Sequence, residues 1–331
     1  MKKNNFNNCG HEKSNPLVSV VVITYNSSQT VIETLESIKA QTYDNIELIV
    51  SDDCSNDNTI DIVSQWIDDN KSRFVHTDLV TTEKNIGVSG NLRRGIAPSK
   101  GEWIKSIAGD DLLIPTCIQE YVDFVNNNPE NVRMCVCNVE CFTTYGEIDE
   151  KTKENVCRNF EKACEIYPQQ KKRIVHELVF SGPTFFYSRE LYNEIGGFKD
   201  KYGCAEEWPF VYEIIRKGNQ IYTIDKKLVR YRVQSSSISH QIYMYGLPNK
   251  RSFEGGARFF FEKRFFGLII AGHPLTAWHQ ALWYWNVKCM YHIKNKYLRE
   301  LVKKGMMMFS PLSYLLFIKR VHLKKSDSPT A

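Results

Sequence analysis

Between Leu17 and Thr24 the chain reads Leu-Val-Ser-Val-Val-Val-Ile-Thr, with only Ser19 and Thr24 polar. Side chains alternate across a strand, so a run this apolar puts hydrophobic groups on both of its faces. It must then be covered on both sides, as in the parallel sheet of an α/β domain. The next ninety residues keep to that constraint. Tyr25-Asn26-Ser27-Ser28 reads as a turn, with Ser27 or Ser28 placed to cap a helix. Val31, Leu35 and Ile38 recur at helical spacing between Thr30 and Ala40. Asn45 to Val50 reads as a second buried strand, followed by a helix from Thr59 to Asp69. A short strand is expected over Phe74 to Thr77, a glycine-containing loop and helix over Lys84 to Gly95, and a fourth strand over Glu102 to Ile107. Strands separated by helices of this length predict a parallel, doubly wound sheet.

Two of these strands end in paired carboxylates, Asp52-Asp53 and Asp110-Asp111. An isolated acidic pair most often closes a strand as a polar turn. In a parallel sheet, however, both loops open on one edge, where α/β sheets place their ligands. Two acidic loops on one cleft repel each other and call for a cation or a hydrogen-bonding ligand.

Composition excludes several classes. The 331 residues suffice for one large domain with an appendage, or for two domains. A net charge of +5 with no dominant basic stripe does not point to nucleic acid. Residues 1–15 are polar, lack an apolar core and read as a loose tail rather than a signal peptide. The ten cysteines include Cys135, Cys137 and Cys141 but no CxxC pair, which suits reduced, buried thiols of a cytoplasmic protein. No run of about twenty apolar residues marks a membrane span.

Several motifs in order resemble the family 2 glycosyltransferases. They are Val18 to Asn26, then Leu35, Ile38 and Gln41-Thr42-Tyr43, then Glu47 to Asp57, Asn85 to Asn91, Lys100 to Ile104, and Gly109-Asp110-Asp111. Gly196-Gly197-Phe198, Glu206-Glu207-Trp208-Pro209-Phe210 and Arg216-Lys217-Gly218 resemble the family's acceptor-side block. The resemblance implies a GT-A fold, an α/β doubly wound mixed sheet, over residues 16–240. Residues 16–112 would form the nucleotide-sugar half and 113–240 the acceptor half, with a mainly helical region over 241–331. It also implies a nucleotide-sugar donor, a UDP-sugar by analogy, Mg2+ or Mn2+, and transfer with inversion to a glycan or lipid-linked glycan. Thr24, Tyr25, Asn26, Asp52, Asp53 and Asn91 would surround the donor nucleotide. Asp110 and Asp111 would meet ribose and metal, and Glu207 would be the general base. The family more often has Asp at that place, so the base stands between Glu206 and Glu207.

The chemistry supports those roles independently of the likeness. A departing nucleoside diphosphate gathers negative charge, and a divalent ion held by one or two carboxylates plus phosphate oxygens offsets it. Single displacement also needs a base opposite the leaving group. Glu206-Glu207 reads equally as the acidic first turn of a helix, where ionised carboxylates are favoured. Lys84 and Arg232 are the preferred cations for the diphosphate, with Arg93, Arg94 and Arg230 nearby in sequence. His240 could complete a metal site, although a lone histidine is more often a loop residue. Phe180 to Tyr187 reads as a strand entered through Gly182-Pro183 on the acceptor side.

Beyond residue 241 the chain turns aromatic and basic together, as in Arg258 to Phe266, Trp283-Tyr284-Trp285 and Leu315 to Arg320. Helices of that kind lie on anionic bilayers, pack on the catalytic domain or pair as a homodimer. Peripheral attachment at the inner membrane face would suit a lipid-linked acceptor. Two other activities stay open: a non-catalytic nucleotide-sugar-binding protein, which would lack a usable base, and a GT-A nucleotidyltransferase, which wants a Gly- and Lys/Arg-rich loop after the first strand. A dinucleotide-dependent dehydrogenase is excluded, because no GxGxxG follows that strand.

Overall fold

The computed structural model describes residues 14–128, 132–143, 170–176, 180–202, 205–233 and 250–293, with Leu178, Tyr297 and Gly305 as single positions. Its centre is an eight-stranded mixed sheet of order β3-β2-β1-β4-β7-β6-β8-β5. The strands are β1 Val18–Thr24, β2 Ile46–Asp52, β3 His76–Val80, β4 Trp103–Ala108, β5 Leu112–Leu113, β6 Met134–Phe142, β7 Phe186–Ser188 and β8 Tyr222–Arg232. β3, β2, β1 and β4 run parallel. β7 reverses the direction by pairing antiparallel with β4 and β6. β8 lies parallel to β6, and β5 closes the edge antiparallel to β8.

The alternation predicted for β1 is realised. Val18, Val20 and Val22 pack with Leu35, Ile38, Leu48 and Val63 on one face of the sheet, beneath α1 (Val31–Lys39), α2 (Thr59–Asn70) and α4 (Cys117–Asn127). Val21 points the other way, to Ile49, Leu92, Ile104, Tyr187 and Phe210. That face carries α3 (Val88–Ile96), α6 (Arg189–Ile195) and α7 (Glu207–Arg216), while a short α5 spans Gln170–Arg173.

Three local expectations change. Neither Ser27 nor Ser28 caps α1; its first N–H groups reach the Ser27 carbonyl instead, and the Thr30 hydroxyl bonds the Gly109 carbonyl at 2.7 Å. The third strand starts two residues later than predicted and runs to Val80, because its backbone pairs with Glu47–Ser51 of β2. The stretch before Tyr187 is a 3-10 turn, Gly182–Thr184, leading into a three-residue strand.

After β8, α8 (Lys250–Phe259) runs through a π-helical turn, Phe260–Arg264, into α9 (Phe265–Ile270), and Gly272 reverses the chain into α10 (Pro274–Met290). Buried Arg264 fastens this region to the start of α7 and to the segment after α5. It donates to the carbonyls of Val175 and His176, both at 2.8 Å, and its guanidinium lies 3.5 Å from the centre of the Trp208 ring. No described helix is long and apolar enough to cross a membrane.

Candidate active site

Because β1, β2 and β4 are parallel, the loops after them meet on one edge of the sheet. The Asp53 N–H donates to the Thr24 carbonyl and the Gly109 N–H to the Ile23 carbonyl, both at 2.9 Å. A Cβ on Gly109 would stand 2.9 Å from the Thr24 methyl group, so glycine lets the β4 loop close onto β1. At the ends of β1 and β2, Asn26 and Cys54 hold φ of 52° and 68°. Non-glycine residues reach that region only under constraint, and they gather at functional loops. Asn26 is held from both sides: its N–H donates to the Ser55 hydroxyl and its side-chain oxygen accepts from the Asn56 N–H, each at 2.8 Å. Tyr25 beside it is 46% exposed, an open aromatic face at the cleft.

The first acidic pair is buried and saturated by protein donors. Asp52 accepts from the Thr24 hydroxyl at 2.7 Å and from the Ser55 N–H and hydroxyl at 2.8 and 2.6 Å. Asp53 accepts from the Gly87 N–H at 2.7 Å and pairs with Arg94 at 2.8 Å. Asn91 donates to the Thr24 carbonyl at 3.1 Å. These side chains therefore set the shape of the Tyr25, Ser55 and Ile86 loops.

The second pair differs. Asp111 is buried and accepts from the Arg232 N–H at 2.9 Å. Burial, and then the charge of neighbouring Asp110, push its carboxyl well above the usual range, against the opposing effects of that hydrogen bond, Lys105 and Arg232. Such repulsion is what a cation relieves. Two hard carboxylates without a third ligand match Mg2+ or Mn2+, which fill their coordination with phosphate oxygens and water. Among the described residues there is no cluster of three or more His, Cys, Asp or Glu that could hold an ion, so an ion at this pair would draw its remaining ligands from phosphate oxygens and water. The donor set fits. His240 lies outside the described residues.

Glu207 opens α7, which is the acidic first turn that the sequence offered as one reading of the pair. Its Oε1 accepts from the Gly182 N–H at 2.6 Å. A Cβ on Gly182 would collide with that oxygen. Burial raises Glu207 to about 7, while the Gly182 bond works the other way. Glu206 is pushed well above its usual range by burial and by Glu207, and its Oε2 has no hydrogen-bond partner. A carboxylate near 7 is ionised for about half the time at neutral pH and takes a proton most effectively there.

Of the candidate cations, Arg232 is buried and reaches the corner from behind, donating to the Asp110 carbonyl at 2.7 Å and pairing with Glu33 at 2.9 Å. Arg93 pairs with Asp200. Arg230 stands 3.6 Å from Glu140. Lys84 is exposed and makes no ion pair among the described residues. Sequence reasoning missed Lys105. It is fully buried in β4, and its ammonium donates to the carbonyls of Ser106 at 2.7 Å and Pro183 at 2.6 Å. Tyr121 holds the next carbonyl, Thr184, at 2.6 Å. Thus the turn that supports Glu207 hangs from the strand that ends in Asp110-Asp111. The one available signal was a lysine in the middle of an otherwise uncharged strand.

Residues 19–196, more than half of the chain, match the family described as Glycosyl transferase family 2. The chain belongs to that family. An uncharacterized glycosyltransferase of Rickettsia typhi is 26% identical over 230 residues, covering 68% of this chain and 66% of its own length. WfaP of Escherichia coli, named a UDP-Glc:alpha-D-GlcNAc-diphosphoundecaprenol beta-1,3-glucosyltransferase, is 33% identical over 109 residues, 33% of this chain and 41% of that protein. The fold matches the Pyrobaculum calidifontis mannosyltransferase PcManGT, solved with GDP-Man and Mn2+, at TM-score 0.58 and 18% identity over 93% of this chain and 80% of that one. It also matches Staphylococcus aureus TarS 1–349, solved with UDP-GlcNAc, at TM-score 0.54 and 16% identity over 91% and 92% of the two chains. This protein is therefore a glycosyltransferase with a GT-A-type mixed sheet and C-terminal helices.

Proposed function

We propose that this glycosyltransferase moves a sugar from a UDP-sugar to a hydroxyl of a glycan or lipid-linked glycan, with inversion, in surface polysaccharide synthesis on the cytoplasmic side of the membrane. The carrying observation is the Lys105 link. It ties the Gly182 turn, and through it Glu207, to the strand bearing the Asp110-Asp111 corner. A base and a cation site on one rigid support suit a single displacement, in which the attacking and leaving oxygens stand on opposite sides of the sugar.

In this reading Tyr25 and the loops braced by Asp52, Asp53 and Asn91 receive the nucleotide. Asp110 and Asp111 would hold Mg2+ or Mn2+, which would offset charge on the diphosphate. The Arg232 N–H holds one oxygen of Asp111, and Lys84 is the exposed cation for a phosphate. Glu207 takes the acceptor's hydroxyl proton as the new bond to the anomeric carbon forms and the nucleoside diphosphate leaves. The uridine assignment draws on the TarS complex and on the activity for which WfaP is named. PcManGT, seen with GDP-Man, makes a guanosine donor the second reading.

The test is a thermal-shift screen of nucleotide sugars with and without Mn2+, since ligands of the native state raise its apparent stability. Asp111→Asn should lose the metal-dependent shift. Glu207→Gln should keep it and lose turnover by about 10²- to 10⁴-fold. Full turnover in Glu207→Gln sinks the base assignment.

A further inference from the structure

The C-terminal hairpin has an unusual charge map. From Phe265 to Val287 the sequence contains no Asp, Glu, Lys or Arg. Those residues form α9, the Gly272 turn and α10. At the tip, every residue from Ile269 to Leu275 is exposed, with Ile270 at 87%. Phe266 and Trp278 extend the apolar tip on either side, at 66% and 51% exposure. Soluble surfaces seldom carry a continuous uncharged projection of this kind.

We infer that this hairpin tip inserts into the interfacial layer of an anionic lipid bilayer. The inference stands apart from the donor and base assignments. Three observations select lipid. Leaving water costs the segment little ionic desolvation, because Asp, Glu, Lys and Arg stop at its borders, Arg264 and Lys288, and His273 is the one titratable side chain of the tip. Beyond it the chain is strongly basic, with ten Lys and Arg against two acidic residues from Lys288 to Ala331. Basic segments beside an apolar wedge are what an anionic leaflet attracts. Trp278, Trp283 and Trp285 are all partly exposed, and tryptophan prefers the headgroup boundary. A second copy of the chain fits less well. The seven-residue tip is far smaller than the roughly 20–30 residues that each side of a stable interface uses.

The test uses the full chain and vesicles of phosphatidylglycerol and phosphatidylcholine, or of phosphatidylcholine alone, in a flotation assay. The wild-type protein should float with the anionic vesicles and shift its tryptophan emission to the blue. Ile270→Asp should weaken vesicle affinity about tenfold or more, because it removes an aliphatic side chain that the bilayer would bury and inserts a charge. Phe266→Ser should weaken it in the same direction. Both substitutions are at exposed positions, so melting and the donor-induced thermal shift should stay as in the wild type. That readout separates this inference from the donor reading. A wild-type chain that fails to float overturns the inference. So does undiminished flotation of both variants, which would place attachment in the basic stretch after the hairpin. Variants that turn a dimer into a monomer at unchanged flotation would assign the face to a second copy instead.

Discussion

Gly182→Ala isolates the setting of Glu207. The Gly182 backbone is not left-handed, so alanine adds only a methyl group, and that methyl would occupy the place of Glu207 Oε1. The carboxylate must then swing off the Gly182 N–H. A hydrogen bond to a charged acceptor contributes about 1.5–3 kcal/mol. It is also the interaction that pulls Glu207 down towards about 7 against burial. Since one pKa unit corresponds to about 1.4 kcal/mol, losing even the lower figure raises Glu207 by about one unit. In its proposed role as base Glu207 works only when ionised, so activity falls as pH drops through its pKa. The acid limb of kcat against pH should therefore lie near 7 in the native enzyme and about one unit higher in Gly182→Ala. At pH 7 this alone costs several-fold in rate, and the loss should be recovered near pH 9. The assay is initial rate at saturating donor and acceptor from pH 5.5 to 9.5, with melting temperature as control. An acid limb that stays in place in a variant of normal stability refutes the coupling between this turn and the base.

Other outcomes arise from the same geometry. Folded Glu207 binds its proton more tightly than the unfolded chain, so ionising it lowers stability progressively from about pH 4.5 to about 7. Glu207→Gln should accordingly melt a few degrees higher than wild type at pH 8 and no higher at pH 4, measured by calorimetry. Lys105→Met keeps the volume but frees the Pro183 and Ser106 carbonyls. It should lower kcat about tenfold by loosening the Gly182 turn while donor affinity changes little, and an unchanged kcat would deny Lys105 a positioning role.

The parallel half of the molecule was legible because its strands advertise themselves twice, by apolar runs and by the helices between them. The Gly109-Asp110-Asp111 corner and the Glu206-Glu207 helix start were legible as residue patterns. What the sequence hid is long-range. The third strand begins at His76 because β2 offers partners there, which no local preference encodes. Asp52 and Asp53 look alike on paper, yet Thr24 and Ser55 saturate one while Gly87 and Arg94 engage the other. Arg232 reads as a cation available to phosphate, but Glu33, 199 positions away, and the corner itself absorb its fork. Lys105 stands out in its strand, but its role is hidden because its partner Pro183 lies 78 residues downstream.

The π-helical turn at Phe260–Arg264 works as a phase adjuster. Each helical residue advances about 100° around the axis, so one surplus residue there fixes which way everything beyond it points. Excising a single amino acid from α8, where there is no surplus residue to absorb the change, would wheel α9 and α10 by roughly a quarter-turn. Arg264 would leave its seat on Trp208, the neighbour of Glu207, and the uncharged tip would face elsewhere. A single residue in this helix thus sets the angle between α7 and the hairpin.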